Sequence, residues 1–255
     1  MAGLTPAQVA SYDNDGYVVL PSLFTAAELQ GWNEEFLDLV EARKPLSPDM
    51  KVMKDVMVVK GAVEAATAVH AVNKVLCLEN NRRLFSFVEH PALLAAIGSL
   101  LGDDLYSLAS NVFNKPPGVD GRHPLHQDLR YFKMEPAEGI VGVWTAMLPA
   151  LRKTGCLAVI PGSHTQGMLP HSLPEWEYVN HGFYAVSDVD LDARVHVELQ
   201  PGDTLLFHPL LVHGSGRNRS DEFRRAISVH YAAGSCVSVK GDWKTNPFTR
   251  HVGTP

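Results

Sequence analysis

A chain of 255 residues with 45% apolar side chains can enclose a sizeable core, and all-β folds of this length are commonly one domain. Its formal net charge of -6 argues against a nucleic-acid or membrane-surface binder, because both partners reward a basic face, and no run approaches the length that spans a bilayer. Cys77, Cys156 and Cys236 are too few and too scattered for a disulfide framework or a zinc motif, so a reducing compartment and small-molecule chemistry are expected.

The opening MAGLTPAQVASYDNDGY has neither the cationic lead nor the apolar core of a signal peptide, and Gly253, Thr254 and Pro255 do not form a peroxisomal tripeptide. A cytoplasmic location is expected on those grounds. Two helix starts of one kind follow. Thr5, with Pro6 at the first helical position and Gln8 three residues after the cap, predicts a capping box, and so does Thr25 with Glu28. Asp15-Gly16 predicts a turn and Tyr17 to Leu20 a short strand, with Pro45 ending the second helix.

From Leu46 to Val72 the pattern fits neither the helical nor the strand period, and no element is assigned. Apolar residues three and four apart then predict a helix from Arg82 to Leu101, ended by Gly102. Arg82 and Arg83 offer charge to an anionic ligand, although such pairs more often form a solvated face. Beyond Asp103 come short β-rich runs: Leu105 to Phe113, Val141 to Leu148, Cys156 to Ile160, Arg194 to Leu199, Thr204 to Phe207 and Ala226 to Ala232. Turn chemistry at Pro161-Gly162 and Pro201-Gly202-Asp203 separates them, which suggests a β-sandwich or jelly roll. The expected fold is mainly β with N-terminal helices: one domain over 1–255, with 1–102 a mainly helical layer and 103–255 mainly a jelly-roll core.

The chemistry centres on HPLHQD, from His123 to Asp128. On an extended backbone His126 and Asp128 point to one side and Gln127 to the other. An imidazole and a carboxylate so placed supply two of the three donors of the 2-His-1-carboxylate set that binds non-haem Fe(II) with positions left open. By itself the pair is weak evidence, since this spacing arises often by chance, and a third donor must come from elsewhere. Near the C-terminus His213 closes a strand, Gly214-Ser215-Gly216 begins a turn, and a return strand starting near Arg224 forms a hairpin with it. Alternation along that strand puts Arg224, Ala226, Ser228 and His230 on one face, where a guanidinium can grip a carboxylate by a bidentate fork.

Five segments together carry a resemblance: NKPP (Asn114 to Pro117), HPLHQDLRYF (His123 to Phe132), VWTAM (Val143 to Met147), GCLAVIPGSH (Gly155 to His164) and HPLLVHGSGRN (His208 to Asn218) followed by FRRAISVHY. From roughly Lys74 to Tyr231 the chain resembles the phytanoyl-CoA dioxygenase family. That resemblance implies a double-stranded β-helix of cupin type, with His126, Asp128 and His213 as Fe(II) ligands and Arg224 as the anchor for the distal carboxylate of 2-oxoglutarate. It also implies that Ser215 assists the anchor, that Trp144 and Lys74 line the cofactor, and that Gln127 lies near cofactor and substrate. Asn111 falls at a lining position where the family pattern has methionine, and Asn218 stands in the family's turn.

The implied reaction consumes 2-oxoglutarate and O2, releases succinate and CO2, uses ascorbate as reductant and hydroxylates C2 of a 3-methyl-branched acyl-CoA such as phytanoyl-CoA. Because Asp128 is present, hydroxylation is favoured over the halogenation run by relatives that lack the carboxylate. Two other readings stand beside it: a dioxygenase of the same fold acting on a secondary metabolite or free acid, and a catalytically silent metal-binding jelly roll. Each residue also has a plainer reading. Trp144 would be a core aromatic, Lys74 a solvated charge, and Ser215 and Asn218 satisfiers of turn backbone. His123, His164, His208 and His230 read as hydrogen-bonded structural residues and are left out of the ligand set.

Overall fold

The structure, a computed structural model, describes residues 2–239 and 241–253, so Thr254 and Pro255 of the C-terminal tripeptide lie outside the described residues. Its axis is the strand Arg224–Ala233, whose ten residues are all buried because it has a neighbour on each edge and a packed layer on each face. It pairs antiparallel with Leu105–Lys115 on one side and with Ile140–Ala146 on the other. The sheet continues through Thr204–Phe207 to Tyr17–Leu20 at one edge and through Val72–Leu76 to Lys51–Lys54 at the other, while Arg250–His251 pairs onto Leu105–Lys115.

Side chains of successive strand residues point to opposite faces, and this divides the core in two. Ile227, Val229 and Tyr231 face outward and share one cluster with Trp32, Phe36, Phe87 and Ile97 of the helical layer. Ala226, Trp144, Leu205 and Phe207 face inward and meet Leu157, Val159 and Val197. Those partners belong to a second antiparallel sheet in the order Val195–Val197, Leu157–Val159, His213–Ser215, His123–His126. Two antiparallel sheets face to face, one of them backed by helices, make the expected jelly roll.

Both capping boxes form, starting the helices Pro6–Asp15 and Ala26–Val40. The second helix ends at Val40 and not at Pro45, because Ala42 turns to a φ of 57° and the Arg43 and Lys44 N–H groups both return to the Asp38 carbonyl. The helix expected from Arg82 to Leu101 is two pieces, Arg82–Phe85 and Pro91–Leu101. Pro91 lacks an N–H and cannot continue a helix, so it starts one, with His90 Nδ1 accepting from the Ala92 N–H. The unassigned stretch holds the edge strand Lys51–Lys54 and the single helical turns Val56–Val59 and Ala68–Ala71, each too short to establish a period. A further correction bears on the site: His213–Ser215 and Arg224–Ala233 are not a hairpin. The first pairs with His123–His126 and Leu157–Val159 in the small sheet and the second lies in the large one, so the turn between them carries the chain from one sheet to the other.

Candidate active site

Between the two sheets lies a cavity of about 390 Å³, with Phe113, Phe132, Leu157, Phe183 and Phe207 in its wall. His126 reaches it as the last residue of its strand. Asp128 does not extend that strand, as alternation had suggested. Its backbone is helical (φ -70°, ψ -26°) at the head of the short helix Leu129–Phe132, and the turn is tied by the Leu129 N–H to the Pro209 carbonyl at 3.0 Å. His213 arrives from the adjacent strand, where its register partner is His126 itself. Facing positions on antiparallel neighbours bring two imidazoles together, and the turn swings the carboxylate onto them.

The result is a three-donor cluster with one ligand atom of each residue within 4.8 Å of the others. His126 Nε2 stands 3.0 Å from Asp128 Oδ1, and His213 Nε2 stands 3.6 Å from Oδ2. The far nitrogens are both engaged: Nδ1 of His126 donates to the Pro124 carbonyl at 2.8 Å, and Nδ1 of His213 to the Leu211 carbonyl at 3.0 Å. In a neutral imidazole held this way Nε2 carries the lone pair, so two imidazoles and a carboxylate aim lone pairs at one place. Burial pushes His213 down to about 4, so at neutral pH its Nε2 keeps the lone pair that a metal requires. Burial alone would raise the Asp128 carboxyl, but the imidazoles of His213, His230 and His126 outweigh it and hold the group well below the usual carboxylate range. Such a donor set fits a divalent metal, and its 2-His-1-carboxylate composition is that of open non-haem iron sites.

His230, read from the sequence as structural, belongs to the cavity wall. Its Nε2 donates to Asp128 Oδ2 at 2.7 Å and fixes the carboxylate's orientation. Its place on one strand face with Arg224 and Ser228 was the signal that it points inward. His123 also lines the cavity, its ring stacked between His126 at 4.0 Å and Phe183 at 3.8 Å, and burial holds its pKa well below the ordinary imidazole value.

Deeper in the cavity Arg224 is 3% exposed, and its Nε and Nη1 have no hydrogen-bond partner in the protein. The Trp144 ring lies 5.3 Å from the guanidinium carbon, and burial pushes the group down to about 10. An unpaired buried guanidinium is costly to keep, and its fork matches a carboxylate. Ser215 Oγ accepts from Lys115 Nζ at 2.8 Å, which leaves the serine proton to be donated elsewhere. Lys115, which sequence reasoning missed inside NKPP, is 2% exposed and is the cross-strand partner of Arg224; burial and then the Arg224 charge push its ammonium well below its ordinary value.

Lys74, Asn111, Trp144 and Ser215 all line the cavity with Arg224. Lys74 Nζ lies 4.4 Å from the Phe113 ring centre, and burial, opposed by the Asp128 charge, brings it to about 8. Gln127 is the correction. Its side chain points away from the cavity, donating to the carbonyls of Gly167 and Leu210 and accepting from the Leu169 N–H, so it braces loops behind the site. Asn218 ties the turn, donating to the carbonyls of Lys115 and Glu222. Arg82 and Arg83 are exposed in the helical layer and do not line the cavity.

The family model for phytanoyl-CoA dioxygenase (PhyH) matches residues 12–226. The peroxisomal phytanoyl-CoA dioxygenase of Homo sapiens is 38% identical over 258 residues, covering 98% of this chain and 75% of that protein. A probable phytanoyl-CoA dioxygenase of Caenorhabditis elegans is 38% identical over 237 residues, covering 90% and 75%. Among solved structures, the non-heme monooxygenase ThoJ superposes with a TM-score of 0.69 at 24% identity, over 96% of this chain and 83% of that one. EctD from S. alaskensis, determined with 2-oxoglutarate and 5-hydroxyectoine, gives 0.69 at 21% identity over 92% and 78%. These two similarities establish the fold, and the match along the sequence establishes the lineage: the chain belongs to the phytanoyl-CoA dioxygenase family of iron- and 2-oxoglutarate-dependent oxygenases.

Proposed function

We propose that this dioxygenase hydroxylates C2 of a 3-methyl-branched acyl-CoA such as phytanoyl-CoA, with Fe(II) held by His126, Asp128 and His213 and 2-oxoglutarate anchored by Arg224. The observation that carries the reading is one of juxtaposition. Three converging donors and a buried guanidinium with two unpaired nitrogens share a single cavity walled by aromatic rings. The choice of an acyl-CoA is supported by the names of relatives at 38% identity.

When bound, the iron with 2-oxoglutarate and O2 supplies an oxidant able to convert C–H to C–OH, with succinate and CO2 as co-products and ascorbate keeping the metal reduced. The remaining tasks fall to the chain. Arg224 takes the distal carboxylate in a two-nitrogen fork, Ser215 donates its free proton to the same group, and Trp144 covers the guanidinium. His230 holds the Asp128 carboxylate in the direction of the metal. Phe113, Phe183 and Phe207 keep bulk water from the reacting carbon. Asp128 would supply the third protein donor to the metal, which supports hydroxylation over halogenation. Among the described residues no helix is long and apolar enough to cross a membrane, and all three cysteines are free, which supports a reducing compartment.

The test is succinate formation from 2-oxoglutarate with Fe(II) and ascorbate across a panel of phytanoyl-CoA, a straight-chain acyl-CoA and free phytanic acid. The branched thioester is expected to raise turnover above the uncoupled background and to yield the 2-hydroxy product. A panel in which no acyl-CoA does so refutes the reading.

A further inference from the structure

Outside the metal cavity a second cleft, of about 450 Å³, opens where three loops meet. Arg122, Arg217 and Arg219 line it, together with Tyr178. Two of these guanidiniums are held by one carboxylate: Asp120 Oδ1 accepts from Arg122 Nε at 2.7 Å and lies 3.2 Å from Arg217 Nε. An Nε contact uses one edge of a guanidinium, and the end-on edge formed by its two terminal nitrogens is still able to grip phosphate oxygens. The Arg122 guanidinium also lies 4.0 Å from the Trp176 ring centre, which fixes a flat aromatic surface beside the charges.

The local charge runs against that of the chain. Among the residues lining the cleft, three arginines stand against the two carboxylates of Asp120 and Glu177, and Lys60 lies beside it with its ammonium 5.7 Å from the Tyr178 ring centre. Asp120 is occupied as the brace between Arg122 and Arg217, and the lining keeps a cationic surplus in a protein of net charge -6. An anion is therefore the ligand this cleft selects.

Three of the segments that line the cleft also line the metal cavity a few residues along the chain. Arg122 precedes His123, Arg217 stands two residues beyond Ser215, and Tyr178 is three residues before His181, with His123, Ser215 and His181 all lining that cavity. Three residues of chain span at most about 11 Å. A molecule with a phosphorylated aromatic end and a long neutral arm can thus occupy both places at once.

We infer that this cleft receives the phosphate-bearing nucleotide end of a thioester substrate, the arginines taking the phosphates and Tyr178 stacking the base, while the acyl end lies before the metal. The inference rests on the acyl-CoA reading and adds to it the site that holds the anionic half. It makes Arg217 and Arg219 determinants of CoA-ester specificity at a distance from the chemistry.

The test compares the KM for a branched acyl-CoA with that for the same acyl group on pantetheine, which lacks phosphates, in the wild type and in Arg217→Glu/Arg219→Glu. The wild type is expected to favour the CoA ester. The double variant raises the acyl-CoA KM by about tenfold to a hundredfold, the weight of one charge-assisted hydrogen bond, and closes the gap between the two substrates. The Arg217→Lys/Arg219→Lys pair recovers part of the gap, and the single change Arg219→Gln, at an exposed side chain, serves if charge reversal impairs folding. A gap that survives in the double variant, or a wild type indifferent to the phosphates, overturns the inference. Turnover of neither thioester overturns the acyl-CoA reading instead. Calorimetry with free CoA on the Mn(II)- and 2-oxoglutarate-loaded protein then judges the cleft by itself: binding lost in the double variant and competed by pyrophosphate supports it, and equal or absent binding in both proteins refutes it.

Discussion

Arg224→Met separates what the guanidinium does for function from what it costs the fold. The side chain is 3% exposed with Nε and Nη1 unpartnered, and burial pushes its pKa down from the ordinary guanidinium range to about 10. That displacement corresponds to about 3 kcal/mol of disfavoured charge, of which the Trp144 face at 5.3 Å returns about 1 kcal/mol. Methionine keeps most of the stem's packing and removes the charge. The ligand-free variant should therefore be more stable than the wild type by about 2 kcal/mol, or roughly 4–8 °C in Tm for a chain of this size. The sign with pH follows from the direction of the shift. A base whose folded pKa is depressed costs stability wherever it is charged in both states, and the cost is relieved only as pH rises through about 10 toward the ordinary guanidinium value. The gain on substitution should be flat between pH 6 and 9. Thermal unfolding by calorimetry, with and without 2-oxoglutarate and Mn(II), reads both halves: ligand should stabilise the wild type strongly and the variant little. A variant less stable than the wild type, or one stabilised as much by 2-oxoglutarate, would refute the reasoning.

Arg224→Lys should keep the fold but raise the 2-oxoglutarate KM by about tenfold or more, since a point charge replaces a planar fork; succinate assays across co-substrate concentration check this. Asp128→Ala should abolish hydroxylation and weaken metal binding by at least about tenfold, read by Mn(II) titration followed by electron paramagnetic resonance, because the anionic donor of the three is lost. Tyr231→Phe removes a fully buried hydroxyl that donates to the Val88 carbonyl at 2.6 Å and should cost about 1–3 kcal/mol in urea unfolding while leaving co-substrate affinity unmoved. Gly142→Ala places a Cβ 2.4 Å from the Phe207 ring, which itself lies 4.7 Å from that of His213, so it should lower stability by about 1–3 kcal/mol and disturb metal binding as well.

Much of this protein was legible before any coordinates because the relevant forces are local. The two capping boxes, the turn at Gly16 and the alternation of side-chain faces from Arg224 to Tyr231 depend on contacts within a few residues, and they formed as read. Arg224, Ser228 and His230 share the cavity face while Ile227, Val229 and Tyr231 share the helical one, since a pleated strand leaves no other choice. Short elements failed for the converse reason. Lys51–Lys54 and the turns near Val56 and Ala68 exist because neighbouring strands and loops hold them, and four residues carry no period of their own.

What the sequence by itself determined was the inventory: two histidines, an aspartate and an arginine at spacings that strands and turns convert into a metal-and-carboxylate site. Tertiary structure decided how they meet. Asp128 joins His126 through a helical turn instead of alternation, His213 faces His126 across two strands of one sheet while Arg224 comes from the other, and Gln127 is turned away to brace loops. The same packing drew in His230 and Lys115, whose roles rest on partners 102 and 100 residues distant in the chain. Hydrogen bonds of that range are fixed by which sheet each strand joins and in which register, and no local pattern of residues encodes that choice.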